Sequence, residues 1–232
     1  MSASKKLNTT KKEIIQTAIR LFLERGFSNT SVKLISDKLG ISTGNLTFHY
    51  PTKEHLLAVL VEMLCDFQWR SMETALEEGS SPLMALCLEL SAMAAMCEEN
   101  EIARDFYLSA YTHPVTLDTI RVSDKNKAKR LFAPYCVGWD DTYFAEAETL
   151  VSGIEYATLM NTGSSPELSV RIGGALKAIL SVYGVPAEQC QECIDKVLQM
   201  NYRHIGQQVL KEFTEYVHET SEDQLEKYLL KR

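Results

Sequence analysis

Apolar residues recur at three- and four-residue spacing along almost the whole of this 232-residue chain. No run alternates for long enough to read as a strand. Ile14, Ile15, Ala18, Leu21 and Phe22 form the first stripe, opened by a capping box, Thr10-x-x-Glu13, and stopped at Gly26. The nine residues before it are polar and read as loose. A second short helix is predicted over 31–39, with Thr30 as its cap, Val32, Ile35 and Leu39 facing inward, and Gly40 ending it. A third, over 43–50, follows Ser42, with Ile41 and Leu46 placed as the two members of a hydrophobic staple. Pro51 breaks it and Thr52 caps the next. A long helix is then predicted from Lys53 to about residue 78, on the order of 40 Å at 1.5 Å per residue.

Beyond Gly79-Ser80-Ser81-Pro82 the helical pattern continues over 82–98, 101–111, 114–132, 140–161, 166–183, 186–218 and 221–230. Breaks fall at Asn100, His113-Pro114, Ala133-Pro134, Gly163 to Pro166 and Gly184-Val185-Pro186. The predicted fold is therefore all-α. A three-helix unit over 1–53 precedes a larger helical body over 54–232, joined by the long helix. With 45% hydrophobic residues the chain has ample material for a core. Its most apolar stretch, Leu83–Cys97, is shorter than the roughly 20 residues a bilayer crossing needs, so no membrane partner is expected.

Charge changes the picture by its distribution. Residues 1–53 hold nine Lys or Arg against Glu13, Glu24 and Asp37, a balance of +6, which leaves −13 on the rest of a chain of net charge −7. A basic head on an acidic body is the asymmetry expected when one end meets phosphates. The six cysteines lie scattered in apolar segments and read as buried free thiols of a reducing compartment. With no charged-then-apolar leader before Lys11, the expectation is a cytoplasmic protein.

Two short helices joined by Gly40-Ile41-Ser42 and braced by a preceding helix have the helix-turn-helix arrangement, which presents its last helix to the major groove of duplex DNA. With Leu46 turned inward, Thr43, Gly44, Asn45, Thr47, Phe48 and His49 remain outside. The set suits base edges: Asn bonds adenine, while Phe or a Thr methyl touches a thymine methyl. Lys53, at the start of the long helix, and Thr30 or Ser31, at the start of the second, are placed to hold phosphates.

These same residues resemble the N-terminal domain of the TetR family of bacterial regulators. The family pattern is matched by Leu21-Phe22 with Gly26-Phe27, by Thr30-Ser31-Val32 and Ile35, by the turn Gly40-Ile41-Ser42, by Gly44 to Tyr50, and by Lys53-Glu54-His55-Leu56. The match covers about a fifth of the chain. The resemblance implies base or groove contacts from Thr43, Gly44, Asn45 and Phe48, and phosphate contacts from Thr30 or Ser31, Ser42, Thr47, His49 and Lys53. Thr47 stands where the family usually has Tyr, so that contact is expected to be shorter in reach.

The resemblance further implies a homodimer on an inverted-repeat operator, with segments 140–161 and 166–183 forming the interface. Gly153, Ala157, Gly173, Gly174 and Ala175 offer close-approach surfaces there, for a dimer or equally for internal packing. Glu89, alone inside the apolar 83–97 helix, needs a partner, a proton or a cationic ligand. It marks a candidate pocket for a small, partly apolar or cationic effector, with Met93, Phe106, Tyr107, Tyr111, Trp139, Tyr143 and Tyr156 as candidate walls. Cys190-x-x-Cys193 with His204 reads as two thiols on one helix face, and no metal or cofactor is expected. No catalytic motif supports an enzyme. The leading reading is an effector-released repressor; the alternative is a DNA-binding dimer governed by a protein partner.

Overall fold

The computed structural model describes residues 3–77 and 79–220, with 225 and 228. Among these residues all regular structure is helical. The head comprises α1 (Ala3–Arg25), α2 (Val32–Leu39) and α3 (Thr43–His49). Gly26 closes α1 at φ +88°, a left-handed backbone that side chains resist. Ser31 caps α2 by accepting from Leu34 N at 3.1 Å, and Ser42 caps α3 by accepting from Asn45 N at the same distance. Ile14, Ile15, Ala18, Phe22, Ile35 and Leu46 are buried together and fix the angle between the helices.

Two expectations for the head are corrected. α1 begins at Ala3, so the polar opening residues are helical from there and Thr10 lies inside the helix. No Gly or Pro stands between Ala3 and Gly26 to stop it. The cap of α2 is Ser31 and not Thr30.

The body comprises α4 (Lys53–Glu77), α5 (Pro82–Glu99), α6 (Glu101–Thr112), α7 (Pro114–Leu131), α8 (Asp141–Leu159), α9 (Leu168–Val182), α10 (Ala187–Gln199) and α11 (Tyr202–Glu219). α5 is apolar nearly all round, which demands a central position. It runs against α4, α6, α8, α9, α10 and α11. α11 comes closest: a Cβ on Gly206 would lie 2.8 Å from the Ala92 carbonyl oxygen and 3.2 Å from Met96 Cγ.

The helix expected over 186–218 is two, broken at Met200-Asn201, where the Asn201 side chain accepts from His204 N and caps α11. Asparagine competes for backbone bonds and so starts helices more readily than it continues them. Most of the helix expected over 221–230 lies outside the described residues.

Candidate functional site

On α3, Ser42, Thr43, Gly44, Asn45, Thr47 and Phe48 are exposed, while Leu46 points into the core. Phe48 is 75% exposed, with His49 edge-on to it at 5.3 Å between ring centres. An aromatic ring so placed gains nothing for folding. Burial, helped by the charge of Lys11, depresses the basicity of His49, which favours the neutral ring. The Thr47 hydroxyl donates to Thr43 O at 3.0 Å, within its own helix.

Two expected phosphate contacts turn inward. Thr30 is 1% exposed, and its hydroxyl donates to Gly26 O at 2.8 Å, where it ties off the end of α1. Of the pair Thr30 and Ser31, only Ser31 stays at the surface. Lys53 donates to Phe27 O at 2.8 Å, with its ammonium 3.8 Å from the centre of the Phe27 ring. Burial lowers its pKa, opposed by Glu54 and Asp105. It is a strut between α4 and the α1–α2 turn, because hydrogen bonding and the ring face hold the ammonium better than an empty surface does.

The head is tied to the body at the same turn. Asp105 of α6 accepts from Ser28 N at 2.8 Å and from the Ser28 hydroxyl. Nearby, Nε2 of His113 stands 3.9 Å from a carboxylate oxygen of Glu54, and its ring packs edge-on to Phe27 at 5.8 Å.

Inside the body, α4 to α9 surround a small gap with about 40 Å³ of free space. Tyrosine and carboxyl side chains fill most of it. Of the candidate walls, Glu89, Met93, Tyr107 and Tyr111 line it. The other four do not. Phe106 faces a separate gap beside Phe22 and Leu60. Trp139 packs edge-on to Phe144 at 5.2 Å, plugging the start of α8. Tyr143 lies on the outer face of α8 and is exposed. Tyr156 follows Glu155 by one residue, a rotation that carries it off the inward stripe.

The polar groups of this cavity were largely unseen in the sequence. Lys127 of α7 is 4% exposed along its side chain; its Nζ donates to Glu89 at 2.8 Å and lies 3.3 Å from Asp124. Burial opposes its charge, but the two carboxylates outweigh that and hold the ammonium charged. From α8 come Glu148, which accepts from the Tyr183 hydroxyl, and Glu155, which accepts from the Tyr111 hydroxyl at 2.9 Å. Burial, and then the charge of Asp124, push Glu148 up to about 8. The same causes, with Glu148 added, raise Glu155 well above the carboxylate range.

A second gap, with about 130 Å³ of free space, shares Leu64, Gln68, Glu89, Met93 and Tyr107 with the first. It continues between α4, α5 and α11 past Met72, Met96 and Val209. Its walls are almost wholly apolar.

All six cysteines are free and buried. Cys190 and Cys193 lie on the inner face of α10 near Cys87 of α5, whose thiol burial pushes up to about 12. On the outer side, Tyr143, Leu150, Gly153 and Ala157 of α8, Met160 at its end, and Val170 and Gly174 of α9 are exposed. Gly173 instead packs on Ile194 and Leu198, and Ala175 is buried, so those two serve internal packing.

A three-helix head whose last helix offers small polar residues and a bare aromatic ring defines a helix-turn-helix DNA-binding unit. Residues 14–60 match the family model of bacterial regulatory proteins, tetR family. The chain is 27% identical over 177 residues to the uncharacterized regulator YerO of Bacillus subtilis, spanning 71% of this chain and 60% of YerO. It is 30% identical over 83 residues to the regulator RutR of Escherichia coli, spanning 36% and 39%. The match thus spans less than two thirds of either relative. Among solved structures, RolR in complex with resorcinol superposes with a TM-score of 0.64 at 20% identity, over 83% of this chain and 96% of RolR. Residues 14–60 are thus a DNA-binding region of the tetR type of bacterial regulatory proteins, and the helical body shares its fold with RolR.

Proposed function

We propose that the protein binds an inverted-repeat operator as a homodimer and represses transcription until a small, partly apolar effector enters the body. Residues 1–53 form the DNA-binding head and 54–232 the effector-binding and dimerisation body, with α4 continuous between them. The observation that carries the DNA reading is the outward set of α3: Thr43, Gly44, Asn45 and Phe48 crowd one exposed face, and Phe48 is bare to solvent at a cost that only a partner recovers. Ser31, Ser42, Thr47 and His49 flank that face as phosphate contacts.

The exposed α8–α9 surface supports the dimer. Apolar and small residues repeat along α8 at three- and four-residue steps on the side away from the core, the surface two antiparallel helix pairs need. The cavity supports the effector, and RolR has been solved with its ligand resorcinol.

Coupling runs through α6, which presents Tyr107 and Tyr111 to the cavity and Asp105 to Ser28 of the head. An effector that shifts this helix moves the end of α1 and the start of α2 with it.

Selection of random duplexes by the purified chain, with Asn45→Ala beside it, tests the proposal. Enrichment of an inverted repeat that weakens in the variant is expected. Merely salt-dependent binding without a motif would overturn it. A subsequent screen for compounds that release the selected duplex tests the effector; if none does, a protein partner takes its place.

A further inference from the structure

The cavity carries an imbalance that packing does not explain. Four carboxyl groups, Glu89, Asp124, Glu148 and Glu155, line it, with Lys127 as the one cation among the lining residues. Lys127 is spent on Glu89 and Asp124. Glu148 is only 3% exposed, and its partner is a tyrosine hydroxyl; Glu155 is held in the same way. A buried carboxyl that needed only structural hydrogen bonds would be replaced at less cost by an amide or an apolar group.

A second observation points into the same space. Tyr107 is 4% exposed and lines both gaps, and its hydroxyl has no hydrogen-bond partner among the described residues. It lies within electrostatic reach of Glu89, Cys65 and Lys127. The hydroxyl opens into the gap, free to bond whatever enters it. Tyr107 lines the same gap as the surplus carboxyls and Tyr111 donates to one of them, Glu155; aromatic faces there add to the attraction for a positive charge.

Resting on the effector reading above, we propose that the effector is a lipophilic organic cation. Its amine or quaternary ammonium head sits among Glu148, Glu155 and Tyr107, and its apolar tail passes Met93 into the gap between α4, α5 and α11. An inorganic ion does not fit: no three His, Cys, Asp or Glu side chains among the described residues converge closely enough to hold a metal. An anion meets the carboxylates. A neutral apolar molecule leaves Glu148 and Glu155 without a purpose.

Uptake of the cation is coupled to proton release. The groups facing Glu148 and Glu155 are Cys65 on α4, Glu89 on α5 and Tyr111 on α6; Asp124, Lys127 and Arg121 face them from α7, and Tyr183 from α9. Burial raises both glutamic acids, Glu148 to about 8, so a bound cation replaces one proton, that of Glu148, and returns it to solvent. Charge in the cavity is then balanced by the ligand.

Isothermal titration of the full chain with decyltrimethylammonium, below its micellar concentration, decides the matter. The control is decyldimethylamine N-oxide, which has the same tail and no net charge. The expected result is at least about tenfold tighter binding of the ammonium, with that preference lost in Glu148→Gln/Glu155→Gln. Should that variant not fold, wild-type titrations in buffers of different ionisation enthalpy still read proton release directly. Release of about one proton per cation, falling away as the pH rises past about 8, supports the proposal. Equal affinity for the two amphiphiles, or no proton release, overturns the cation and leaves an apolar effector standing. Binding of neither, together with a screen that yields no compound releasing DNA, overturns the effector reading itself.

Discussion

Asp105 of α6 holds Ser28 of the α1–α2 turn by two hydrogen bonds, one from its backbone N–H and one from its hydroxyl. The same carboxylate crowds Gly26, where an added Cβ would stand 2.6 Å from an oxygen. Asp105→Ala is therefore expected to lower stability by about 1 kcal/mol, since the bonds are charge-assisted but solvent-exposed. The larger effect falls on communication: an effector that releases the wild type from DNA releases the variant less. Urea melts and DNA titrations with and without effector measure both. Unchanged release would show that the signal travels by another route.

Phe48→Ala separates binding from folding. The ring is exposed, so melting should shift by no more than about 0.5 kcal/mol in stability. Affinity for the selected operator should fall by about 1–3 kcal/mol, the worth of a good base contact. Fluorescence anisotropy beside a thermal melt makes the comparison. A stability loss equal to the binding loss would mean the ring belongs to the head's packing.

Lys127→Met strips Glu89 and Asp124 of their buried counter-charge. Breaking such a pair from one side costs about 3–5 kcal/mol. The loss should shrink as the pH is lowered, because Asp124, whose carboxyl burial raises above the ordinary range, then takes up a proton. A variant whose deficit stayed constant from neutral to acid pH would contradict this pairing.

Glu148 makes stability fall with rising pH. Its folded pKa of about 8 lies above the ordinary 4.5, so the native state binds the extra proton between those values. The stabilisation is complete below about 4.5 and is lost as the pH passes through about 8. Glu148→Gln should flatten the decline in melting temperature across that window. An identical decline in both proteins would remove Glu148 as its source.

Leu150→Glu addresses assembly. The side chain is 54% exposed on the outer face of α8, so the chain should fold unchanged. Two copies of the new carboxylate meet at a two-fold interface, and sedimentation should show monomers where the wild type is dimeric. Dimers that persist would move the interface away from this face.

The head was legible because local signals and tertiary packing agree there: Gly26, Gly40 and Ser42 punctuate the helices, and Leu46 faces in as its spacing requires. Sequence reasoning failed where a residue chose between two partners. Thr30 and Lys53 had phosphates on one side and the Gly26–Phe27 carbonyls on the other, and spacing does not rank such bonds. Glu89 stood out as a lone carboxyl in an apolar helix. Lys127, Glu148 and Glu155 did not, since α7 and α8 are rich in charge. A signal was present nonetheless: Phe144, Glu148, Val151 and Glu155 fall on one stripe of α8, which places two carboxyls where apolar residues belong.

Gly206 sets α11 against α5 at the distance two backbones allow, and the residues it meets, Ala92 and Met96, also wall the apolar gap with Ile205 and Val209. The position works as a gauge. Any side chain there would prise the helices apart and widen the gap, leaving the carboxyl cluster and the reading helix untouched. Drift at this one codon would reshape the apolar gap while leaving the helix-turn-helix untouched.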